Sequence, residues 1–134
     1  MTTKELGELG EKLACEYLVK KGFNILGKNY RITFGEIDII VKKSWSLFKL
    51  FKNDKTIHFV EVKALKWFNP QFVYPEEHVN FRKQRKLRQL AQIWLKKNKY
   101  PQAHPYQIDV IGVLVNETTR NAKLHHFPNA VEEI

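Results

Sequence analysis

The chain has 134 residues, of which 43% are hydrophobic, and these values are typical of one globular domain rather than of a disordered chain. Lysine and arginine number 23 against 14 acidic residues, so the net charge is +9 and the expected partner is a polyanion such as nucleic acid. Cys15 is the single cysteine, which excludes an intrachain disulfide scaffold and a cysteine-rich zinc site.

The first predicted element is a helix over about residues 3–21. Thr2 and Glu5 have the spacing of a capping box, and Gly22 is a typical residue after a helix C-terminus. Later segments show either the strand period of two or the helical period of 3.6. They predict strands at 23–32, about 35–41 and about 56–64, a helix at about 80–98, and strands at 106–115 and 123–127.

This order of elements describes an antiparallel meander followed by a crossover helix into a further strand. The predicted fold class is therefore α/β, an αβββαβ core with a mixed central sheet flanked by helices. We expect residues 1–134 to form a single domain. The polar start of the chain lacks a signal-peptide pattern, and no apolar run approaches the roughly 20 residues that span a bilayer. These features favour a cytoplasmic protein with no membrane partner.

Two short segments combine strand alternation with charged residues. In the predicted strand at about 56–64, the pattern places Glu61 and Lys63 on one face, with Val60 and Val62 on the opposite face. The preceding strand alternates in the same way, so its acidic residues are expected on one face and its apolar residues on the other. The predicted faces of that strand are Glu36 with Asp38, and Ile37 with Ile39 and Val41.

If the two strands pair, Asp38, Glu61 and Lys63 lie together on one face of the sheet. Two carboxylates beside a lysine are typical of a Mg²⁺ or Mn²⁺ site, in which Asp38 and Glu61 are metal ligands. Lys63 would orient or help to deprotonate a water nucleophile, and the Val62 carbonyl could add a ligand. The alternative is a cross-strand salt bridge on a solvent-facing sheet, worth less than about 1 kcal/mol. Spacing alone favours neither.

Both predicted helices place polar residues beside their apolar stripes. Glu11 borders the stripe of the first helix and can reach the sheet, although it could equally be an ordinary boundary glutamate. Lys83 and Gln84 continue the buried stripe of the second helix one turn earlier, where polar groups are expected to meet a metal site or its phosphate. The alternative for this turn is a solvated basic face.

Cations dominate the start of the second helix, and this position opposes the helix macrodipole unless an anion binds there. The pattern favours a phosphate-binding, and hence nucleic-acid-binding, turn made by Arg82, Lys83, Arg85 and Lys86. Residues 45–51 interleave basic and aromatic side chains, which suits base stacking but equally a packed hairpin tip or a dimer contact.

Other polar residues are interpreted as structural or as surface residues. Asp109 lies within an apolar strand and is predicted to be a buried partner for a basic residue such as Arg31. His125 and His126 are adjacent in the sequence, and we expect them to lie at the surface.

Several of these motifs occur together in the order found in a known family. The chain contains Gly10-Glu11-Lys12-Leu13-Ala14, then Gly35-Glu36-Ile37-Asp38-Ile39-Ile40, then Phe59-Val60-Glu61-Val62-Lys63. With these motifs, roughly residues 6–115 resemble the YraN-type family of small bacterial proteins. That family belongs by fold to the restriction-endonuclease-like, or PD-(D/E)xK, nucleases and is similar in layout to archaeal Holliday-junction resolvases.

The resemblance implies roles for individual residues. Asp38 and Glu61 would be ligands for Mg²⁺ or Mn²⁺, and Lys63 would be the catalytic lysine. Glu11 would be an auxiliary acid, and Gln84 would contribute from the second helix. The chain departs from the family pattern after the lysine, where Ala64-Leu65 replaces Thr-Arg, and before the late aspartate, where Gln107 replaces an arginine. The segment between the second and third strands is also longer and more basic.

Two classes of function therefore stay open. The first is a metal-dependent endonuclease that hydrolyses phosphodiester bonds in DNA, with branched or junction DNA as the expected substrate. A homodimer would suit such a substrate, because paired sites cut its two strands. The second is a nucleic-acid-binding or partner-docking module that keeps the fold and has little catalysis.

Overall fold

The computed structural model describes residues 1–44, 54–67 and 81–130, which form two helices and a five-stranded sheet. The predicted order αβββαβ with a further short strand is confirmed. Segment 45–51, for which base stacking, a packed hairpin tip and a dimer contact were left open, lies outside the described residues. The elements are α1 (Thr3–Lys20), β1 (Phe23–Ile32), β2 (Gly35–Lys43), β3 (Ile57–Lys66), α2 (Phe81–Lys97), β4 (Tyr106–Val115) and β5 (Ala122–Phe127).

The strands lie in the order β1-β2-β3-β4-β5. Strands β3 and β4 pair in parallel, from Ile57 opposite Tyr106 to Lys66 opposite Val115, and all other pairs are antiparallel. A parallel pair requires a crossover connection, and α2 lies between these two strands in the chain. The sheet is therefore mixed, as predicted, and β5 is the predicted edge strand.

Helix α1 begins and ends as its sequence indicates. The Thr2 hydroxyl accepts a hydrogen bond from the backbone N–H of Glu5, and the Glu5 carboxylate accepts one from the backbone N–H of Thr2. Lys21 caps the C-terminus, and Gly22 follows with a φ of +92°, a left-handed conformation that glycine adopts without steric cost. Neither helix in the described ranges combines the length and apolarity needed to cross a bilayer.

Each face of the sheet carries one helix and one apolar cluster. Successive side chains of a strand point to opposite faces, so neighbouring residues enter different clusters. Leu87, Leu90, Ala91, Trp94 and Leu95 of α2 pack with Ile57 and Phe59 of β3 and Ile108 and Val110 of β4. Leu6, Ala14 and Leu18 of α1 pack with Val41, Val60, Ile111 and Val113 from the other face.

The alternation of β2 breaks at Asp38. Ile39 and Val41 lie in the cluster beneath α1, whereas Ile37 lies with Ile40 in the cluster beneath α2. The prediction that Ile37 shares a face with Ile39 is therefore wrong. Pairing of β2 with β3 ends at Ile39 opposite Val60, while pairing with β1 resumes at Ile37 opposite Tyr30, so Asp38 itself lies outside both sets of paired residues. A residue outside the ladder does not hold its neighbours to the strand period.

Candidate active site

The side chain of Asp38 fills the point at which β2 and β3 separate. Its Oδ2 atom accepts a hydrogen bond of 2.8 Å from the backbone N–H of Val62, in place of a backbone carbonyl of β2. The residue is 7% exposed. Burial and the neighbouring charge of Glu61 raise the pKa of Asp38 to about 8, although the bond from Val62 acts in the opposite direction. Asp38 is thus a buried carboxyl that lacks sufficient compensation for its charge.

Glu61 is the second buried acid of this site and is 6% exposed. Its Oε1 atom lies 2.5 Å from Nζ of Lys83, which projects from the first turns of α2. Burial lowers the pKa of Lys83, but the hydrogen bond and charge of Glu61 outweigh burial, so the pKa is raised overall. The sequence predicted that Lys83, on the buried stripe of the second helix, would meet a polar group, and that group is the Glu61 carboxylate.

Lys63 lies two residues after Glu61 on the same face of β3 and is partly buried. Burial, and then the hydrogen bond and charge of Lys83, lower the pKa of Lys63 below its ordinary value. A lysine with a lowered pKa releases its proton more readily than a solvated one, which suits proton transfer. The prediction that Asp38, Glu61 and Lys63 come together agrees with this geometry; their chemical roles stay predictions.

Glu11 reaches the same acidic group from α1. Its pKa is raised by burial and then by the charge of Glu36, with a smaller contribution from Glu61. The preceding residue, Gly10, explains the approach, because a Cβ atom at Gly10 would lie 2.7 Å from the Cβ atom of Ala64 in β3. Glycine therefore lets α1 lie close to β3 and carries Glu11 towards the site.

A crevice of about 340 Å³ opens beside Glu61, which lines it together with Glu36. Its cationic wall consists of Arg82, Lys83 and Lys86, which belong to the predicted phosphate-binding turn. The first turn of α2 has no acidic residue to balance them. The other predicted members of this region, Gln84 and Arg85, lie on α2 outside the set that lines the crevice.

The donor set of this site suits a hard cation. Magnesium and manganese bind through one or two carboxylates and complete their shells with water and substrate phosphate. Asp38 and Glu61 supply two buried carboxylates whose mutual repulsion a divalent cation would relieve. Within residues 1–44, 54–67 and 81–130, no three or more histidine, cysteine, aspartate or glutamate side chains form a larger metal-binding group. Mg²⁺ or Mn²⁺ at Asp38 and Glu61 thus stays a prediction that the donor chemistry allows.

A second polar cluster lies on the opposite face of the sheet, around Asp109, which is fully buried. Its Oδ2 atom accepts hydrogen bonds from Nδ1 of His58 at 2.8 Å and Nε2 of His126 at 2.9 Å. Its Oδ1 atom accepts bonds from Nε2 of Gln107 and the backbone N–H of Asn129. Although burial acts to raise the pKa of Asp109, these donors outweigh it and hold the pKa far below its usual range.

Two predictions about this cluster are wrong. Arg31 does not pair with Asp109; its guanidinium binds the Glu36 carboxylate at the surface, at 2.8 Å. His126 is not a surface residue, because its side chain is 14% exposed and also hydrogen-bonds to the Tyr17 hydroxyl. The strand period could have predicted that His58 is buried, because it places His58 on the same face of β3 as Val60 and Val62, beneath α1. Gln107 stands where the family pattern has an arginine, and its side-chain amide donates a hydrogen bond to Asp109.

Comparison with known proteins places this α/β chain in a family. A model described as uncharacterised protein family UPF0102 matches residues 10–113. The UPF0102 protein of Caldanaerobacter subterraneus subsp. tengcongensis is 40% identical over 128 residues, which cover 95% of this chain and 94% of that protein. A UPF0102 protein of Clostridioides difficile (strain 630) is 40% identical, and one of Dictyoglomus turgidum is 35% identical, each over 130 residues that cover 97% of this chain and 99% of the relative.

The chain therefore belongs to the UPF0102 family, which is the YraN family. The resemblance drawn from the GEIDII and FVEVK motifs is confirmed. The observed order of helices and strands is consistent with the nuclease superfamily to which that resemblance points.

Proposed function

We propose that this protein is a Mg²⁺- or Mn²⁺-dependent endonuclease that hydrolyses phosphodiester bonds in DNA, with branched or junction DNA as its preferred substrate. The observation that carries the proposal is the buried pair Asp38 and Glu61, next to Lys63, with Glu61 lining a crevice that has a cationic wall. Keeping two adjacent carboxylates out of water is unfavourable for stability, and such groups concentrate at functional sites.

Each part of the site has a task in this reaction. Asp38 and Glu61 would hold the divalent ion, which supplies a Lewis acid and lowers the pKa of a coordinated water. Lys63 lies beside this pair and would orient the attacking water or stabilise charge on the phosphate oxygens. The cations at the start of α2 would bind the phosphate backbone without reading sequence. Shape rather than base identity would then select the substrate.

A second candidate is a nucleic-acid-binding module with little catalysis. The cationic first turn of α2, which includes Arg82 and Lys86, favours it because this turn could bind phosphate with no metal. Such a module would bind DNA in a salt-sensitive manner and keep that binding in the Asp38→Asn variant. It would show no cleavage under any metal condition.

The test uses purified protein with labelled single-stranded, duplex, flap and four-way-junction DNA, in Mg²⁺, Mn²⁺ or EDTA. Asp38→Asn and Lys63→Ala are compared with Asp54→Asn and Lys66→Ala, which make the same changes at exposed positions. We expect metal-dependent cleavage that falls at least about a hundredfold in the first pair and persists in the second. Cleavage unchanged in Asp38→Asn would contradict the proposal. Binding without cleavage would favour the second candidate.

A further inference from the structure

The ammonium group of Lys83 contacts the carboxylate of Glu61, which is one of the two proposed ligands of the divalent ion. Its Nζ atom is 2.5 Å from Oε1 of Glu61, whose side chain is 8% exposed. Magnesium binds carboxylate oxygens at about 2.0–2.1 Å, so an ion on Glu61 would come close to this ammonium. Like charges so close in a partly buried site repel strongly. Lys83 and a divalent ion therefore compete for Glu61.

Lys83 has a physical reason to be in this position. Glu61 and Asp38 are buried neighbours, and an uncompensated buried charge is strongly unfavourable. One ammonium group from α2 compensates part of that charge. The Lys83 side chain is also 33% exposed and lines the crevice with Arg82 and Lys86. It can therefore leave Glu61 towards the opening without crossing the core.

We infer that Lys83 holds the divalent-ion position in the absence of metal and has to leave Glu61 when an ion binds. The inference rests on the proposed metal-dependent function and adds a competitor that belongs to the chain itself. On leaving Glu61, the ammonium faces the crevice where a DNA phosphate would lie. Because the same movement serves both ligands, binding of metal and binding of phosphate favour each other.

Calorimetric titration of the whole protein with MnCl₂ tests this competition. Lys83→Met removes the ammonium and keeps the linear stem, and Lys86→Met removes the same charge from another wall residue of the crevice. We expect Lys83→Met to bind Mn²⁺ at least about tenfold more tightly than the natural protein, because no ion pair must break first. Lys86→Met should gain less than about threefold, through long-range electrostatics alone. Asp38→Asn should lose binding.

Thermal unfolding of the same variants gives a second measurement that does not depend on activity. Lys83→Met should unfold at a lower temperature in EDTA, since Glu61 loses its partner, and should gain more than the natural protein from added Mn²⁺. Equal Mn²⁺ affinity in Lys83→Met and the natural protein, with loss in Asp38→Asn, would overturn the inference and leave the metal site standing. Absence of Mn²⁺ binding in every variant would overturn the inference and the metal-dependent function together.

Discussion

Asp38 and Asp109 are both buried aspartates of one sheet, yet their surroundings have opposite effects on their charge. Asp109 accepts hydrogen bonds at both oxygens from four donors, and its pKa is lowered. Asp38 accepts a backbone hydrogen bond from Val62 and is near the charge of Glu61, and its pKa is raised to about 8. Burial alone therefore does not decide whether a carboxylate is stabilised in its charged form. The balance of donors and neighbouring charges does.

The largest effect should come from removing the charge of Asp109. In Asp109→Asn the amide group presents its own N–H atoms to donors, so at least two hydrogen bonds are lost in a buried site. We expect the free energy of unfolding to fall by on the order of 3 kcal/mol, measured by urea denaturation at neutral pH. Asp54→Asn, at an exposed position, is the control and should lose less than about 1 kcal/mol, because its hydrogen bonds from Thr56 are at the surface. A loss below about 1 kcal/mol would show that the donors do not act as a network.

The two aspartates also differ in how far the sequence could predict them. The motif around Asp38 predicted two neighbouring strands, and this was enough to anticipate Asp38 near Glu61, although the pairing of β2 with β3 ends one residue earlier, at Ile39 opposite Val60. Asp109 depends on His126, which is one strand away because β5 pairs with β4 and places His126 opposite Ile111. Neither spacing nor periodicity along the chain specifies that pairing. A long-range contact between side chains had no local signal.

The same limit explains the error at Ile37. Every helix and strand was predicted to within a few residues, because the apolar periods are strong and glycine marks several ends. Ile37 was assigned to the wrong face because the prediction assumed an unbroken strand. The break occurs at Asp38, whose side chain bonds to the backbone of Val62, and near Asn29 of β1, which has a φ of +49°; a hydropathy pattern carries no information about either feature.

Asp38 should affect the pH dependence of stability with the opposite sign to Asp109, because the pKa of Asp38 is raised and that of Asp109 is lowered. The folded-state pKa of Asp38 is raised from 3.8 to about 8, so folding is favoured by the protonated form. This stability is fully present below about pH 4 and is lost as pH rises to about 8. Asn at this position resembles the protonated acid and has no charge to lose. Asp38→Asn should therefore be more stable than the natural protein by at least about 2 kcal/mol near pH 9, and about equally stable near pH 4.

Urea denaturation in EDTA across this pH range measures the difference between the two proteins. Asp54→Asn serves again as the control, and here it is informative because the pKa of Asp54 is lowered, chiefly by hydrogen bonds from Thr56. Its variant should lose stability, not gain it, above about pH 4. Parallel curves for Asp38→Asn and the natural protein would show that Asp38 is not an uncompensated carboxyl.

A smaller effect should appear where α1 approaches β3. A Cβ atom at Gly10 would lie 2.7 Å from Cβ of Ala64, whereas one at Gly7 would have no atom within 4 Å. Gly10→Ala should lower the free energy of unfolding by about 1–2 kcal/mol through overpacking. Gly7→Ala, in the same helix, should raise it by about 0.5–1 kcal/mol through reduced backbone entropy. Equal effects of the two substitutions would mean that α1 does not lie this close to the strand.

The smallest effect should distinguish the hydroxyl group of Tyr17, which is partly buried, from that of Tyr30. Ionised Asp109 can only accept, so His126 donates to it from Nε2 and leaves Nδ1 to accept from the Tyr17 hydroxyl. Tyr17→Phe should therefore reduce the free energy of unfolding by about 1 kcal/mol. The Tyr30 hydroxyl is buried but has no hydrogen-bond partner among the described residues. Tyr30→Phe should be neutral or slightly stabilising, because it removes a buried polar group whose desolvation no hydrogen bond offsets. If both substitutions cost the same, the hydroxyl of Tyr17 adds nothing to the Asp109 network, and that network ends at His126.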